Sequence, residues 1–295
     1  MKTTDDPSVR GGGTAPRGGR APVRRTLRGL TQVESRSFPV RAPGWGEDLR
    51  ETRRSYFRDL SLHYGLEARE EDLDGATGNS YMSMAERLLP EIESGRPFDY
   101  VAIAMTVPNS DPLQSVVSWL VDVLPGSAMP LGVGDQGVVA PFTALRLLSA
   151  YTEGERPARS MLLAFDRRFV PYFDDGREGP IPTSDTVVAL VFDGQGGGDL
   201  TVALSTGVTP AEAGPLASAE IADAGEDVDL IVGRGLEEPA ASWPKARLAE
   251  RGAPCTGIWT RFAEWYGSAP ENGRGALLLD HDRGHGYLGH CLYRP

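Results

Sequence analysis

Short apolar runs alternate along the chain with segments of helical periodicity. The apolar runs predict strands over 100–105, 129–133, 159–166, 186–192, 200–204, 228–232, 276–279 and 287–293. Apolar residues at helical spacing predict helices over 47–64, 83–93, 142–151 and 256–266, and a further helix that starts at Asp111 and Pro112 and stops at Pro125. Alternating strands and helices form βαβ crossovers, so we expect an α/β protein with a largely parallel sheet covered on both faces.

Glycine-rich segments predict two reversals of the chain. Residues 194–198 separate two β-rich runs and predict a hairpin-like turn. Residues 282–286 predict a second hairpin, between the last two strands. After about residue 208 the pattern restarts in shortened form. We therefore divide the chain into an arm over 1–29, an N-terminal half over 30–208 and a shortened C-terminal half over 209–295.

Charge separates the arm from the rest of the chain. Residues 1–29 hold seven Lys and Arg against two Asp, whereas the whole chain of 295 residues has a net charge of −11. The arm is rich in Gly and Pro and cannot bury enough apolar surface to offset its ordering entropy, so we predict that it is disordered, with a functional basic arm as the alternative. The remaining, strongly acidic body repels phosphates, so we predict no nucleic-acid partner.

Composition also indicates the cellular compartment in which we expect the protein. Cys255 and Cys291 are the two cysteines, neither in a CxxC pair, which favours a reducing cytoplasm and argues against a structural zinc site. No run of about 18 apolar residues occurs, and the N-terminus has no apolar signal region, so we expect neither a membrane span nor secretion. We predict a cytoplasmic protein with no metal and no cofactor.

Four segments carry a resemblance to a known family. Residues 136–147 read Gln-Gly-Val-Val-Ala-Pro-Phe-Thr-Ala-Leu-Arg-Leu and resemble the nucleophile turn and helix of ketoacyl-ACP synthase III and type III polyketide synthases, with Val138 in place of the cysteine. Residues 185–191 are similar to a family strand. Residues 227–234 resemble the strand that ends at the catalytic histidine, with Arg234 in its place, and Ala253 after Gly252 stands where the family has asparagine.

The resemblance covers about residues 31–295 and implies a fold. That fold is the thiolase-like layered α/β fold, built from two related βαβαβαββ halves that associate into a tight dimer. The C-terminal half of this chain is short, so the layer that it supplies in the family is uncertain from sequence. The last hairpin resembles the glycine-rich strand pair that ends these proteins.

The substituted residues bear on condensation. In the family, a thiolate at a helix N-terminus takes the acyl group, and a His and an Asn stabilise the thioester oxygen during decarboxylation. Val138 cannot carry an acyl chain, and Ala253 cannot donate a hydrogen bond. Arg234 can donate but cannot accept a proton near neutral pH. These substitutions predict a member that does not condense.

Other residues offer replacement chemistry. Asp135 is a base or nucleophile candidate, although Asp at this position more often caps the following helix. His281 and His285 are acid–base candidates, and on the last hairpin His281 and His290 could meet. Cys255 is a candidate for a displaced nucleophile, or a buried inert thiol. The aromatic face of the helix over 256–266 is expected to pack on the sheet, with an acyl tunnel as the alternative.

The sequence leaves three functional hypotheses open. The first is a non-catalytic ketosynthase-like pseudoenzyme that pairs with a Cys-containing synthase paralogue, in the manner of chain-length factors or the small subunit of 2-alkylquinolone synthase. A homodimer is the alternative assembly, and acyl carrier protein or acyl-CoA is the expected acyl source. The second is a stand-alone acyltransferase, thioesterase or cyclase that uses Asp135, His281, His285 or Cys255. The third is a protein that only binds an acyl chain or its carrier.

Overall fold

The computed structural model describes residues 22–39, 50–63, 65, 78–92, 95–107, 115–154, 156–168, 181–268 and 273–295. The strands are β1 (Arg25–Phe38), β2 (Tyr100–Met105), β3 (Met129–Val133), β4 (Ser160–Asp166), β5 (Asp185–Phe192), β6 (Gly198–Thr206), β7 (Val228–Val232), β8 (Arg247–Leu248), β9 (Gly275–Asp282) and β10 (Tyr287–Arg294). The helices are α1 (Arg50–His63), α2 (Tyr81–Leu88), α3 (Val116–Val123), α4 (Ala140–Thr152), α5 (Pro210–Ala224), α6 (Glu237–Ala240) and α7 (Gly257–Gly267).

The strand order repeats itself. The sheet runs β3-β2-β4-β5-β1-β6-β10-β9-β7-β8, so each half has the order third, second, fourth, fifth, first, read from its outer edge. In each half the fifth strand, β5 or β10, is antiparallel to both neighbours, whereas the second strand is parallel to the third and fourth. The halves join through the antiparallel pairing of β1 with β6. The described chain is therefore two copies of one supersecondary unit.

This repeat corrects the predicted boundary between the halves. β6 is the first strand of the second half, so the division lies between Phe192 and Gly198 and not at residue 208. The second half has short elements, with an α6 of four residues and a β8 of two residues. It keeps all five strands, because the shortening falls on the connections and on β8.

The predicted start of ordered structure is also wrong. β1 begins at Arg25, inside the arm assigned to 1–29, and its 14 residues pair with β5 on one side and β6 on the other. Leu27 and Leu30 are fully buried, which anchors the strand although half of its residues are Arg, Thr or Ser. Pairing on both sides satisfies the backbone and outweighs the weak strand propensity of the side chains. Residues 1–21 lie outside the described residues.

The glycine-rich segment over 194–198 does not close a hairpin. β1 lies between β5 and β6 and pairs with both, so the connection crosses β1. The Asp193 N–H donates to the Gly29 carbonyl oxygen at 2.9 Å. A Cβ on Gly197 would lie 2.2 Å from the Leu30 carbonyl oxygen, so the crossing requires glycine there. The local pattern identified a turn but could not show that another strand passes beneath it.

Five layers result from this topology. α4 and α7 lie between the two halves of the sheet, where the Phe142 and Trp259 rings approach to 5.1 Å between centroids. α2 and α3 cover the outer face of the first half, and α5 and α6 cover the outer face of the second. The outer layer in doubt from sequence is thus present, formed mainly by α5, a helix that the apolar pattern did not predict. Trp259, Phe262 and Trp265 are buried, as expected for a core-facing helix.

The remaining predicted helices differ from the observed ones mainly at their ends. The helix expected over 83–93 is α2 followed by a 3₁₀ turn over Leu89–Glu91, because Pro90 cannot continue the α-helical hydrogen bonding. The start predicted at Asp111 and Pro112 lies outside the described residues, and the described part of that helix begins after Ser115, whose hydroxyl oxygen accepts from the Ser118 N–H. None of the helices that the structure describes is long and apolar enough to cross a membrane.

Candidate active site

Two aspartates cap the central helices, and they hold equivalent places in the repeat. Asp166 ends β4, and its carboxylate accepts the Cys255 and Thr256 N–H groups and the Thr256 hydroxyl at the start of α7. Asp282 ends β9, and its Oδ2 accepts the Val138 N–H before α4 at 3.0 Å. The carboxylates meet the free N–H groups that helix N-termini leave unpaired. The site next to α4 is built around the second of these caps.

A cavity of about 350 Å³ opens at this end of α4. Val138, Arg234 and Ala253, which come from three different connections, all line it. The positions that the resemblance assigned to the missing Cys, His and Asn therefore surround one space. The acidic residues on the wall are Glu250, Asp280 and Asp282.

The turn before α4 fixes Val138 at the cavity wall. Asp135 and Gly137 both have positive φ, of 55° and 53°, and the chain then enters a 3₁₀ turn over Gly137–Val139. A Cβ on Gly137 would lie 1.7 Å from Asp282 Oδ2, so a side chain there would displace the carboxylate. Val138 is 5% exposed and offers the cavity only methyl groups. Its N–H, the one polar group that residue 138 could direct at an acyl oxygen, is bonded to Asp282.

Asp282 also binds His285. Its Oδ1 accepts the His285 backbone N–H at 2.8 Å and lies 3.0 Å from His285 Nδ1. The His285 side chain is 48% exposed, whereas that of Asp282 is 5% exposed. The imidazole stacks on the Tyr287 ring, with 5.8 Å between centroids. A buried carboxylate on the cavity wall thus orients a solvent-accessible imidazole.

Arg234 is held by a neighbouring carboxylate. Its Nη1 donates to Glu237 Oε1 at 2.9 Å, and Arg251 donates to the same oxygen at 2.6 Å. The Arg234 Nε is buried and has no hydrogen-bond partner among the described residues. The guanidinium therefore places positive charge on the cavity wall, and its Nε–H has no acceptor among the described residues.

Asp280 is a buried acid that the sequence reasoning did not single out as a site residue. Its Oδ1 accepts the N–H groups of His281 and Gly235. Burial, and to a smaller extent the nearby Asp282, raise the pKa of the Asp280 carboxyl to about 7, against two backbone hydrogen bonds that lower it. Gly233 leaves room for this side chain, because a Cβ there would lie 1.8 Å from Asp280 Cγ. The available signal was an aspartate near the end of one strand together with glycines one and three residues after another strand.

Stability should respond to this acid. The folded-state pKa of Asp280 lies above its unfolded value, so protons bind the folded form more tightly and its contribution to stability falls as the pH rises from about 4 to about 7. We expect Asp280→Asn to remove about 2–3 kcal/mol of the decrease in unfolding free energy between pH 5 and pH 8, at about 1.4 kcal/mol per pKa unit. Urea unfolding across this range measures it. Asp199→Asn, at an exposed position of β6, is the control and should retain the wild-type slope; equal slopes in both variants would contradict the assignment.

The structure does not bring the other sequence candidates to the cavity as free functional groups. Asp135 is exposed, and the Val138 N–H before α4 is bonded to Asp282, so Asp135 is not the helix cap that the sequence suggested. His281 contributes to the cavity wall, but its ring is buried and its Nε2 lies 3.0 Å from the Val208 carbonyl oxygen. Cys255 is fully buried with its Sγ towards the Ala104 carbonyl oxygen, and burial raises its thiol pKa well above the usual range.

The histidines of the last hairpin do not share partners. His290 is buried, with Nδ1 3.3 Å from Glu220 Oε2 and Nε2 3.3 Å from an Arg24 nitrogen. His281 contacts Val208 instead, so the suggested meeting of His281 and His290 is not observed. Within the described ranges, no group of three or more His, Cys, Asp and Glu residues is placed to hold a metal ion.

Solved structures with a similar fold have low sequence identity to this chain. The 3-oxoacyl-(acyl-carrier protein) synthase of Burkholderia xenovorans LB400 superposes with a TM-score of 0.62 at 15% identity, over 94% of this chain and 96% of that chain. AbyA1, a tetronic acid condensing enzyme, gives 0.59 at 12% identity, over 92% and 100% of the two chains. ChlB3, an acyltransferase, gives 0.58 at 13% identity, over 92% and 97%.

These similarities cover nearly the whole of each chain. No protein-family model and no curated protein matches the sequence. The structural likeness confirms the thiolase-like α/β fold that the sequence predicts.

Proposed function

We propose that this chain is a non-condensing ketosynthase-like subunit, acting in acyl transfer or condensation within a specialised metabolic pathway and paired with a Cys-containing synthase. The observation that carries the proposal is the side chain and the backbone hydrogen bond of residue 138. Valine stands at the tip of α4, and the N–H of the same residue is bonded to Asp282. Both the nucleophile and one donor for an acyl oxygen are therefore missing at one point.

The rest of the cavity supports the same conclusion. Condensation needs a group that carries the acyl chain and donors that stabilise the enolate formed on decarboxylation. Ala253 supplies no donor, and Arg234 can donate but cannot accept a proton near neutral pH. Cys255 cannot substitute for the absent thiol, because it is buried and its pKa is raised. A cavity lined by these residues can bind an acyl group, but it offers no nucleophile that could form a covalent acyl intermediate.

An exposed apolar surface around β3 supports pairing with a second subunit. β3 is the outer strand of the first half, so one side of its backbone is unpaired within the described sheet. Large apolar side chains are exposed on β3 and on the two helices that pack against it, namely Val121, Val123, Met129, Leu147 and Tyr151. An edge strand flanked by apolar side chains is a favourable surface for sheet extension across an interface. We call these five residues the β3 surface.

Co-expression with a Cys-containing synthase from the same locus tests the proposal. We expect a 1:1 complex in native mass measurement, and no mass increase on this chain after incubation with acyl-CoA. Leu147→Glu on the β3 surface should weaken the complex at least tenfold, since a charge would be buried in the contact. Leu216→Glu, at an exposed site of α5 in the other half, is the matched control and should leave it intact.

Two outcomes would overturn the proposal. One is a covalent acyl adduct on this chain alone. The other is a chain that stays unpaired with the synthase at micromolar concentration while remaining folded, as judged by circular dichroism.

A further inference from the structure

We infer that Asp282 and His285 form a general-base pair that hydrolyses small acyl thioesters at the α4 cavity. Thioesters as the substrate class rest on the proposed function above, whereas the base itself rests on geometry. The inference commits to His285 among the replacement residues, because its imidazole is solvent-accessible and bonded to a carboxylate.

The carboxylate of Asp282 is fixed at both oxygens. Oδ2 accepts the Val138 N–H, and Oδ1 accepts the His285 N–H and faces His285 Nδ1 at 3.0 Å. An ionised carboxylate can only accept, so the proton between these atoms belongs to Nδ1. The His285 Nε2 then carries the lone pair. A carboxylate that selects the tautomer and orients the ring is how a histidine is prepared to act as a base.

Local packing holds the imidazole next to the turn before α4. The absent side chain of Gly137 lets the ring approach the helix tip, since a Cβ there would lie 3.3 Å from His285 Nδ1. The Tyr287 ring stacks on the imidazole with an interplanar angle of 18°. Asp282, Arg283 and Gly284, which directly precede His285, line the cavity. His285 follows directly after these lining residues, and its half-exposed ring is accessible to solvent water beside the cavity.

Arg234 supplies positive charge on the same wall. A carbonyl attacked by hydroxide develops negative charge on oxygen, and a guanidinium in a partly buried site stabilises it. The volume of about 350 Å³ suits a short acyl chain.

The reaction balances without a cofactor. His285 Nε2 takes a proton from water as the oxygen of that water adds to the thioester carbonyl carbon. The tetrahedral intermediate collapses with cleavage of the C–S bond, and the imidazolium returns its proton to the leaving thiolate. The products are a carboxylic acid and a thiol, and no group on the protein is acylated.

Hydrolysis of acetyl-, butyryl- and hexanoyl-N-acetylcysteamine by the purified full chain tests the inference, with the released thiol measured by a colorimetric reagent. We expect turnover above the buffer rate for at least one thioester, and a loss of about 100-fold in kcat for His285→Ala. Added imidazole should restore part of that loss, which a purely structural role of His285 would not allow. His63→Ala, at an exposed histidine of α1, is the control and should match wild type.

Asp282 is tested as a positioning residue. Asp282→Asn should lower kcat at least tenfold with KM within twofold of wild type, and Asp282→Glu should recover part of the loss. The inference is overturned if all three thioesters hydrolyse at the buffer rate, or if His285→Ala matches wild type. A chain that pairs with a synthase but does not hydrolyse thioesters overturns this inference alone, and a chain that hydrolyses them without pairing overturns the proposed partner alone.

Discussion

Replacing Trp259 by alanine is expected to lower the free energy of unfolding by about 3–5 kcal/mol. Trp259 is fully buried in the layer where α4 and α7 meet, so it contacts elements from both halves of the repeat. Its ring packs 5.1 Å from Phe142 and 6.5 Å from Phe262, measured between centroids. The resulting cavity cannot close without moving both central helices, which are constrained by their sheets. Urea unfolding followed by far-ultraviolet circular dichroism measures the loss.

Two variants make this expectation specific. Trp243→Ala removes a partly buried tryptophan that donates to Ser218 Oγ at 3.2 Å, and should cost less than about 2 kcal/mol. Trp259→Phe keeps most of the ring contact and removes an Nε1–H that has no partner among the described residues, so it should also cost less than about 2 kcal/mol. A loss for Trp259→Ala no larger than that for Trp243→Ala would mean that the central layer does not dominate stability.

The sequence predicted those elements whose own residues form a continuous apolar run or a recognisable turn. β2 is such a case: Ala102 faces the central layer and Ile103 faces the outer one, so the strand is apolar throughout. The final pair β9 and β10 joins through a short turn and was predicted for the same reason. In these cases local sequence alone specifies strand, helix or turn.

The missed elements depend on distant partners. β1 is polar along much of its length, and it becomes a strand because β5 and β6 pair with both of its edges. α5 lacks a strong apolar stripe, since small residues such as Ala213 and Ala217 form its buried face. The turn over 194–198 was interpreted as a hairpin because nothing local reveals that β1 passes beneath it. Pairing across long sequence separations is a tertiary property that a periodicity does not encode.

The candidate site likewise has features that the sequence indicated and features that only the structure shows. The sequence resemblance assigned Val138, Arg234 and Ala253 to the family's site positions, and the structure places all three on the wall of one cavity. The bond from Asp282 to the Val138 N–H could not be predicted, because it joins the end of β9 to the tip of α4 across 144 residues. The raised pKa of Asp280 likewise follows from burial, which only the assembled sheet determines.

A cysteine placed at position 138 is expected to react slowly until Asp282 is neutralised. In Val138→Cys the thiol would sit at a helix N-terminus, which favours the thiolate, but also next to a carboxylate that disfavours it. A like charge at this separation raises a pKa by about 1–3 units, and each unit lowers the thiolate fraction about tenfold. We therefore expect Val138→Cys/Asp282→Asn to be alkylated by iodoacetamide about 10–100 times faster at pH 7 than Val138→Cys alone. Intact-mass measurement over time gives both rates.

The native cysteines leave this signal readable, because Cys255 and Cys291 are fully buried with raised thiol pKa values and should react little in the folded chain. Val138→Cys/Asp199→Asn is the matched control: it removes an acid of equal charge at an exposed position, and its rate should equal that of Val138→Cys. If neutralising Asp282 had no larger effect than neutralising Asp199, the carboxylate would not control the electrostatics of the helix tip. If the expected difference is found, the thiol of Val138→Cys alone is largely protonated at pH 7, because the Asp282 carboxylate is bonded at the same helix tip.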